Sequence, residues 1–267
     1  MSCHSKHWHA LFSGAVPKDS AFPESNEDKL RISDENRLYI LSDGASESFN
    51  SALWADVLVE SASTSLPHSR FTRWLKQATA TYEERSDLAG MSWSQEAAFA
   101  RGSFASLLVV ELQSESITLT AIGDTVALMV EHGTISRAFP YTASAHFQQR
   151  PHLLSTLRSR HNTLYFQEAL RSLVAYKSCV AGTGCKASWP YPASNDSFLI
   201  CVTDALGEWL LRHDDKSQDR VQAVLGVRNQ DGLTRLIEEA RRDDGMRRDD
   251  STLIVIGGGE GYGTTHP

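Results

Sequence analysis

The order of its elements predicts an α+β protein in which antiparallel sheets are covered by helices, and three observations carry that expectation. Strand-like runs at both ends of the chain flank a helix pair, a central meander and a second set of helices. Hydrophobic residues make up 41% of the 267 positions and charged residues 22%, the usage of a globular protein with a core, which excludes a disordered chain. No stretch approaches the ~18 consecutive apolar residues of a membrane span. The longest apolar runs, such as Phe198 to Val202, are strand-sized.

Trp8 to Gly14 alternates weakly and Leu38 to Leu41 is a short apolar run closing on Ser42-Asp43-Gly44. Two helices follow. Ala52 to Ser65 carries Leu53, Val57, Leu58 and Ala62 at three- and four-residue steps, and Phe71 to Tyr82 continues the pattern beyond Pro67. Phe104 to Leu112, Ile117 to Ile122 and Val126 to Val130 are β-rich runs broken by short turns, the signature of an antiparallel meander. From Ala138 to Asn195 the pattern weakens, with a helix near Leu164 to Leu173 ahead of a stretch rich in Gly, Cys, Pro and Trp. An insertion or flap is expected at about 138–196 within one domain spanning 1–267. Ser197 to Val202 reads as a buried strand, Ala205 to Leu211, Asp219 to Leu225 and Gly232 to Arg242 as helices, and Ser251 to Ile256 as the last strand. Trp54, Trp74 and Trp209 fall where helices would pack them into the core.

A net charge of 26 − 33 = −7 gives no footprint for nucleic acid and would be repelled by anionic lipid, so neither is expected as a partner. The opening MSCHSKHWHALFSG lacks the apolar core of a secretory leader, and Cys3, Cys179, Cys185 and Cys201 show no repeated two-residue spacing. A cytoplasmic, reduced setting is the expectation. Cys3, His4, His7 and His9 form a small terminal cluster for which fraying is a simpler account than a metal site.

The carboxylates carry the functional signal. Asp43 ends a strand, Asp124 lies in the tight turn of LTAIGDTVAL, and Asp204 ends the strand in FLICVTDALGE. Asp249 and Asp250 precede the last strand, and Asp28, beside Glu27, precedes an early one. A carboxylate at a strand end is held on a rigid element yet faces the rim of its sheet, and several on one rim repel unless cations neutralise them. Hard oxygen ligands without His or Cys nearby favour Mg²⁺ or Mn²⁺ over zinc. Two such cations ~3.5–4 Å apart can lower the pKa of a shared water and offset phosphoryl charge.

The order of these short motifs resembles that of the PP2C (PPM) family of metal-dependent protein phosphatases, over roughly Trp8 to Gly257. Glu27-Asp28 matches the family's early acidic pair, Asp43-Gly44 its Asp-Gly, and Gly102-Ser103 the small-residue turn opening its meander. Gly123-Asp124, Asp204-Ala205-Leu206 and Asp249-Asp250-Ser251-Thr252 match its later acidic motifs. The resemblance implies a four-layer αββα sandwich with a dinuclear Mg²⁺ or Mn²⁺ centre at one end. It implies that Asp43 bridges the two ions, that Asp204 and Asp249 complete the first as catalytic ligands, and that the Gly44 carbonyl binds the second. Glu27 and Asp28 would hold metal-bound waters, Asp124 with Asp204 would take a third, weaker ion, and Glu208 would be auxiliary.

Three positions depart from the family pattern. Pro23 stands where an arginine usually clamps the substrate phosphate, leaving Lys18 as a point charge with less geometric control. Ala205 replaces a glycine, which costs ~1 kcal/mol if the position needs positive φ. Asp250 replaces an asparagine and adds a negative charge that could draw metal or repel phosphate. The implied activity is hydrolysis of phosphoserine and phosphothreonine in a protein substrate, opposite a Ser/Thr kinase. The alternatives are a pseudophosphatase that binds metal or phosphoprotein without turnover, and a phosphatase of small phosphoesters. His146 and His152 are candidate acids for the leaving group, and surface histidines otherwise.

Overall fold

The computed structural model describes residues 8–62, 71–87, 90–157, 185–194 and 196–258. In chain order these form β1 (Trp8–Val16), β2 (Lys29–Ser33), β3 (Leu38–Ser42), α1 (Ser51–Ser61), α2 (Phe71–Arg85) and α3 (Trp93–Arg101). Next come β4 (Phe104–Ala105), β5 (Leu107–Leu112), β6 (Ser116–Ile122), β7 (Val126–Glu131), β8 (Thr134–Phe139), β9 (Leu154–Ser155) and β10 (Cys185–Pro190). The last are β11 (Ser197–Val202), α4 (Asp204–Leu210), α5 (Ser217–Leu225), α6 (Gln230–Asp243) and β12 (Ser251–Gly258). One sheet has the order β1-β12-β11-β7-β8, the other β10-β6-β5-β3-β2, and β4 pairs with β9 apart from both.

Period-two alternation sorts the strand residues into layers. Tyr39, Leu41, Leu108, Val110, Leu119 and Ala121 of one sheet pack against Ala127, Met129, Leu199, Cys201, Ile254 and Ile256 of the other. The intervening residues Leu38, Ile40, Leu107 and Val109 face Trp54, Leu58, Phe71 and Tyr82 of α1 and α2. Leu128, Val130, Ile200, Val202, Leu253 and Val255 face Leu206, Trp209, Val224 and Ile237 of α4 to α6. The product is the four-layer αββα sandwich. Both faces of the central strands are covered, which is why they read as unbroken apolar runs in the sequence.

The structure refines the expected elements in four places. The run Phe104 to Leu112 breaks at Ser106, whose hydroxyl and amide are drawn to Asp43, so β4 leaves the sheet to pair with β9. The turn between β6 and β7 is not a hairpin within a meander. It carries the chain from one sheet to the other, and Gly123 makes the corner at φ +97°, where an added Cβ would lie 2.7 Å from that of Ser106. Helix α3 goes unread in the hydrophobic pattern because it buries no side chain, but its capping box of Ser92 and Gln95 marks the start. Strands β9 and β10 lie within the stretch read as weak, and β10 pairs along β6 as part of a main sheet. The helix expected near Leu164 to Leu173, and Cys3, His4, His7 and Cys179, lie outside the described residues; His9 lies on β1, opposite Gly257.

Candidate metal centre

Strand register fixes which residues share a rim. Lys29 pairs with Ser42, Leu41 with Leu108, and Leu107 with Ile122 in one sheet. Val202 pairs with Val126 and Leu253 in the other. Because adjacent strands are antiparallel, the residues just beyond these pairs emerge together. They are Asp28, Asp43, Asp124, Asp204, Asp249 and Asp250.

Each is fixed by its neighbours. The Asp43 amide donates to Ser106 Oγ (3.1 Å) and its carbonyl accepts from the Ser106 amide (2.9 Å). Gly44 follows where an added Cβ would stand 2.8 Å from the Ser51 backbone, so only glycine lets α1 approach this closely. Buried Asp28 accepts at Oδ2 from the hydroxyls of Thr203 (2.9 Å) and Thr252 (2.8 Å), which ties it to the ends of β11 and β12. Thr203 precedes α4 but caps nothing with its side chain, since its hydroxyl serves Asp28. Asp204 opens α4, and Ala205 behind it is helical and buried. Since Ala205 has no positive φ, the loss of glycine there costs no strain.

The rim's carboxylates disfavour one another's charge. Burial first, then the charges of Asp28, Asp204, Asp124 and Asp249, hold the Asp43 carboxyl well above the usual range. Burial pushes Asp28 up to about 8 against the pull of its two hydroxyls, and Asp124 up to about 7 with help from Asp204. Asp249 is raised by burial and by Asp204. Asp28 Oδ1 and Asp204 Oδ1 are buried without a hydrogen-bond partner, although such atoms are rarely left unpaired. An all-oxygen set with orphaned acceptors suits Mg²⁺ or Mn²⁺. Among the described residues no three His, Cys, Asp or Glu side chains already form a group that could hold a metal. The charges sense one another, but Arg247 lies between Asp204 and Asp249, its Nη2 bonded to Asp204 and 3.4 Å from Asp249 Oδ2.

The remaining acidic residues have structural partners. Glu27 accepts from Lys18 Nζ (2.5 Å) and from the hydroxyls of Ser46 and Ser51. Lys18, the expected stand-in for the phosphate arginine, is therefore held on Glu27 and Ser46. Pro23 is exposed at the start of a single 3₁₀ turn. Glu208, expected as an auxiliary carboxylate, gives both oxygens to Arg212 (3.0 and 2.6 Å), one helical turn further on in sequence. His146 accepts from the Thr142 amide and packs edge-on against Tyr141.

Asp250 does not face the rim freely. Its oxygens accept from the backbone amides of Lys18 (2.6 Å) and Glu27 (2.8 Å), joining the loop after β1 to the start of β12. Both bonds need an acceptor, and an amide side chain could satisfy only one. Asp250→Ala should destabilise the fold by about 2 kcal/mol and lower the melting temperature by roughly 5 °C, with Asp250→Asn intermediate. Thermal denaturation of the three proteins checks the ranking.

No family model matches the chain, and no curated protein matches it significantly. Solved structures do. The chain has the fold of PP2C-type serine/threonine phosphatases. The photosystem II phosphatase PBCP superposes with a TM-score of 0.55 at 13% identity, covering 94% of this chain and 97% of its own. The Mycobacterium tuberculosis serine/threonine phosphatase PstP/Ppp gives 0.51 at 16% identity, over 93% and 98%. The PstP catalytic domain in complex with two manganese ions gives 0.50 at 16%, again over 93% and 98%. At these identities the likeness establishes the fold.

Sequence reasoning missed Arg247, the two threonines and Ser106. The run RRDDGMRRDD reads as a solvated helix end, and a hydroxyl has no pattern that sets it apart from an ordinary strand residue.

Proposed function

We propose that the protein is one phosphatase domain that hydrolyses phosphoserine and phosphothreonine in proteins with two Mg²⁺ or Mn²⁺ ions. The observation that carries this is the rim of mutually repelling carboxylates on a phosphatase fold, Asp28 buried and Asp43, Asp124, Asp204 and Asp249 half-buried. Asp43, Asp204 and Asp249 would hold the ions with the Gly44 carbonyl, Asp28 and Glu27 standing behind them, and Asp124 with Asp204 would take a weaker third. Ions bound there would supply an activated water and offset the charge of the phosphoryl group.

The chain's own contribution is position. Ser106 holds the Asp43 backbone, Thr203 and Thr252 aim Asp28, and Asp250 fastens the loop carrying Glu27. Cys201 is no candidate for covalent catalysis, because it is buried and its thiol is pushed far above the usual range by burial. The substrate would be a phosphoprotein made by a Ser/Thr kinase. No described helix is long and apolar enough to cross a membrane, and a cytoplasmic setting agrees with Cys201 being a free thiol.

Turnover of p-nitrophenyl phosphate with Mn²⁺, lost in EDTA, tests the reading. Mn²⁺ binding without turnover would instead support a binding module, a reading favoured by the closure of Arg247 on Asp204. Faster hydrolysis of phosphopeptides than of the small ester supports a protein substrate. Asp124→Ala should lower turnover about tenfold or more while leaving two tight Mn²⁺ sites by calorimetry. Loss of all metal binding would put Asp124 in the dinuclear core.

A further inference from the structure

Most described cations beside the acidic rim are committed elsewhere, Lys29 to the Asn26 and Asp28 carbonyls among them. Lys18 is held by Glu27 and Ser46. Arg241 donates to the Pro17 carbonyl (3.1 Å) and to that of Asp249. Arg248 donates to the Lys18 carbonyl (2.8 Å). Lys18 thus ties two loops through their side chains and the two arginines bind main-chain carbonyls, contacts that hold the site's walls. Arg247 differs. Its ion-pair partners are the carboxylates of Asp204 and Asp249, and Asp43 also acts on it electrostatically.

Its side chain is 48% exposed, so the guanidinium reaches the carboxylates from the solvent side. A cation that takes up Asp204 and Asp249 removes both partners of Arg247 at once. The Arg247 backbone stays two residues from Asp249, and so the freed guanidinium remains tethered beside the ions. Its planar fork matches a phosphate group, the bidentate chemistry that Pro23 cannot supply.

We infer that Arg247 is a tethered counter-cation that exchanges partners, bound to Asp204 and Asp249 in the metal-free protein and to the substrate's phosphoryl oxygens once the ions are in place. The inference rests on the phosphatase reading for its second half and on the observed ion pairs for its first. As a competitor, Arg247 weakens metal loading; as a clamp, it orients the phosphate without taking part in proton transfer.

Two titrations by calorimetry test it on the full chain. Mn²⁺ should bind Arg247→Ala about two- to tenfold more tightly than wild type, since a competing cation is gone. Inorganic phosphate, titrated into Mn²⁺-saturated protein, should bind Arg247→Ala about ten- to a hundredfold more weakly, and Arg247→Lys should recover only part of the loss. Arg247→Gln, which keeps the side chain's bulk, should follow Arg247→Ala in both titrations. In turnover the loss should fall on KM more than on kcat. Unchanged Mn²⁺ affinity, or unchanged phosphate affinity in a wild type that hydrolyses p-nitrophenyl phosphate, overturns the inference. A wild type that binds Mn²⁺ but hydrolyses nothing sinks the phosphatase reading instead, and the Mn²⁺ titration still decides the competition.

Discussion

Asp43→Asn should reduce phosphoester turnover by at least about a hundred- to a thousandfold, because the residue proposed to bridge two cations must carry a full charge. The same change should raise the melting temperature of the protein in EDTA. Without metal, the half-buried Asp43 carboxylate feels the charges of Asp28, Asp204, Asp124 and Asp249, which together with desolvation disfavour its ionised form. An isosteric amide removes that repulsion and keeps the backbone bonds to Ser106, which do not involve the side chain. Loss of activity with gain of metal-free stability separates a ligand from a residue that merely supports the fold. A rate near wild type at saturating Mn²⁺, or a lower melting temperature, would remove Asp43 from the bridging role.

The metal-free protein should also lose stability as pH rises, the reverse of ordinary acid denaturation. Burial raises Asp28 to about 8 and Asp124 to about 7, against 3.8 for an ordinary aspartate. Asp43 and Asp249 are raised as well. Between about pH 4 and pH 8 the folded chain therefore binds protons that the unfolded chain has released. The stabilisation is fully present below the unfolded value and is lost as pH climbs through the folded ones. In EDTA the melting temperature should drop by roughly 5–10 °C from pH 5 to pH 8. Saturating Mn²⁺ should cancel the drop, since cations replace the protons. Asp244, which Arg220 holds far below the usual carboxylate range, works in the opposite direction but only in more acid solution. A flat profile in EDTA would mean that the carboxylates do not share one low-dielectric rim.

The fold was legible wherever burial imposed a period. Leu38 to Leu41, Ser197 to Val202 and Ser251 to Ile256 announce themselves as central strands because both faces are covered. The acidic rim was legible for a related reason: Asp43 and Asp204 end such strands, and Asp249 lies just before one. What escaped was decided between segments far apart in the chain. Nothing local says that Gly123-Asp124 turns between sheets rather than within one, since a hairpin and a corner use the same residues. Nothing local tells Asp250, clamped on two amides, from Asp249 beside it. Arg247 was hidden by composition, one of four arginines in RRDDGMRRDD, and only the fold shows which of them turns toward Asp204.

The pairing of β1 with β12 has a kinetic consequence. Residues 8 to 16 lie against residues 251 to 258, so the first and last described strands are neighbours. The rim takes Asp28 from near one end of this span and Asp249 from near the other, with Thr252 reaching back to Asp28. Contacts of such long sequence separation form late, because the chain between them must be ordered first. During synthesis, which proceeds N-terminus first, Asp43 and Asp124 will emerge well before their partners. A nascent chain that has delivered β1 to β7 thus carries half of the proposed cation site on an unclosed sandwich. Metal capture should coincide with arrival of the final strand, which makes the ions a lock on the finished fold rather than a template for it.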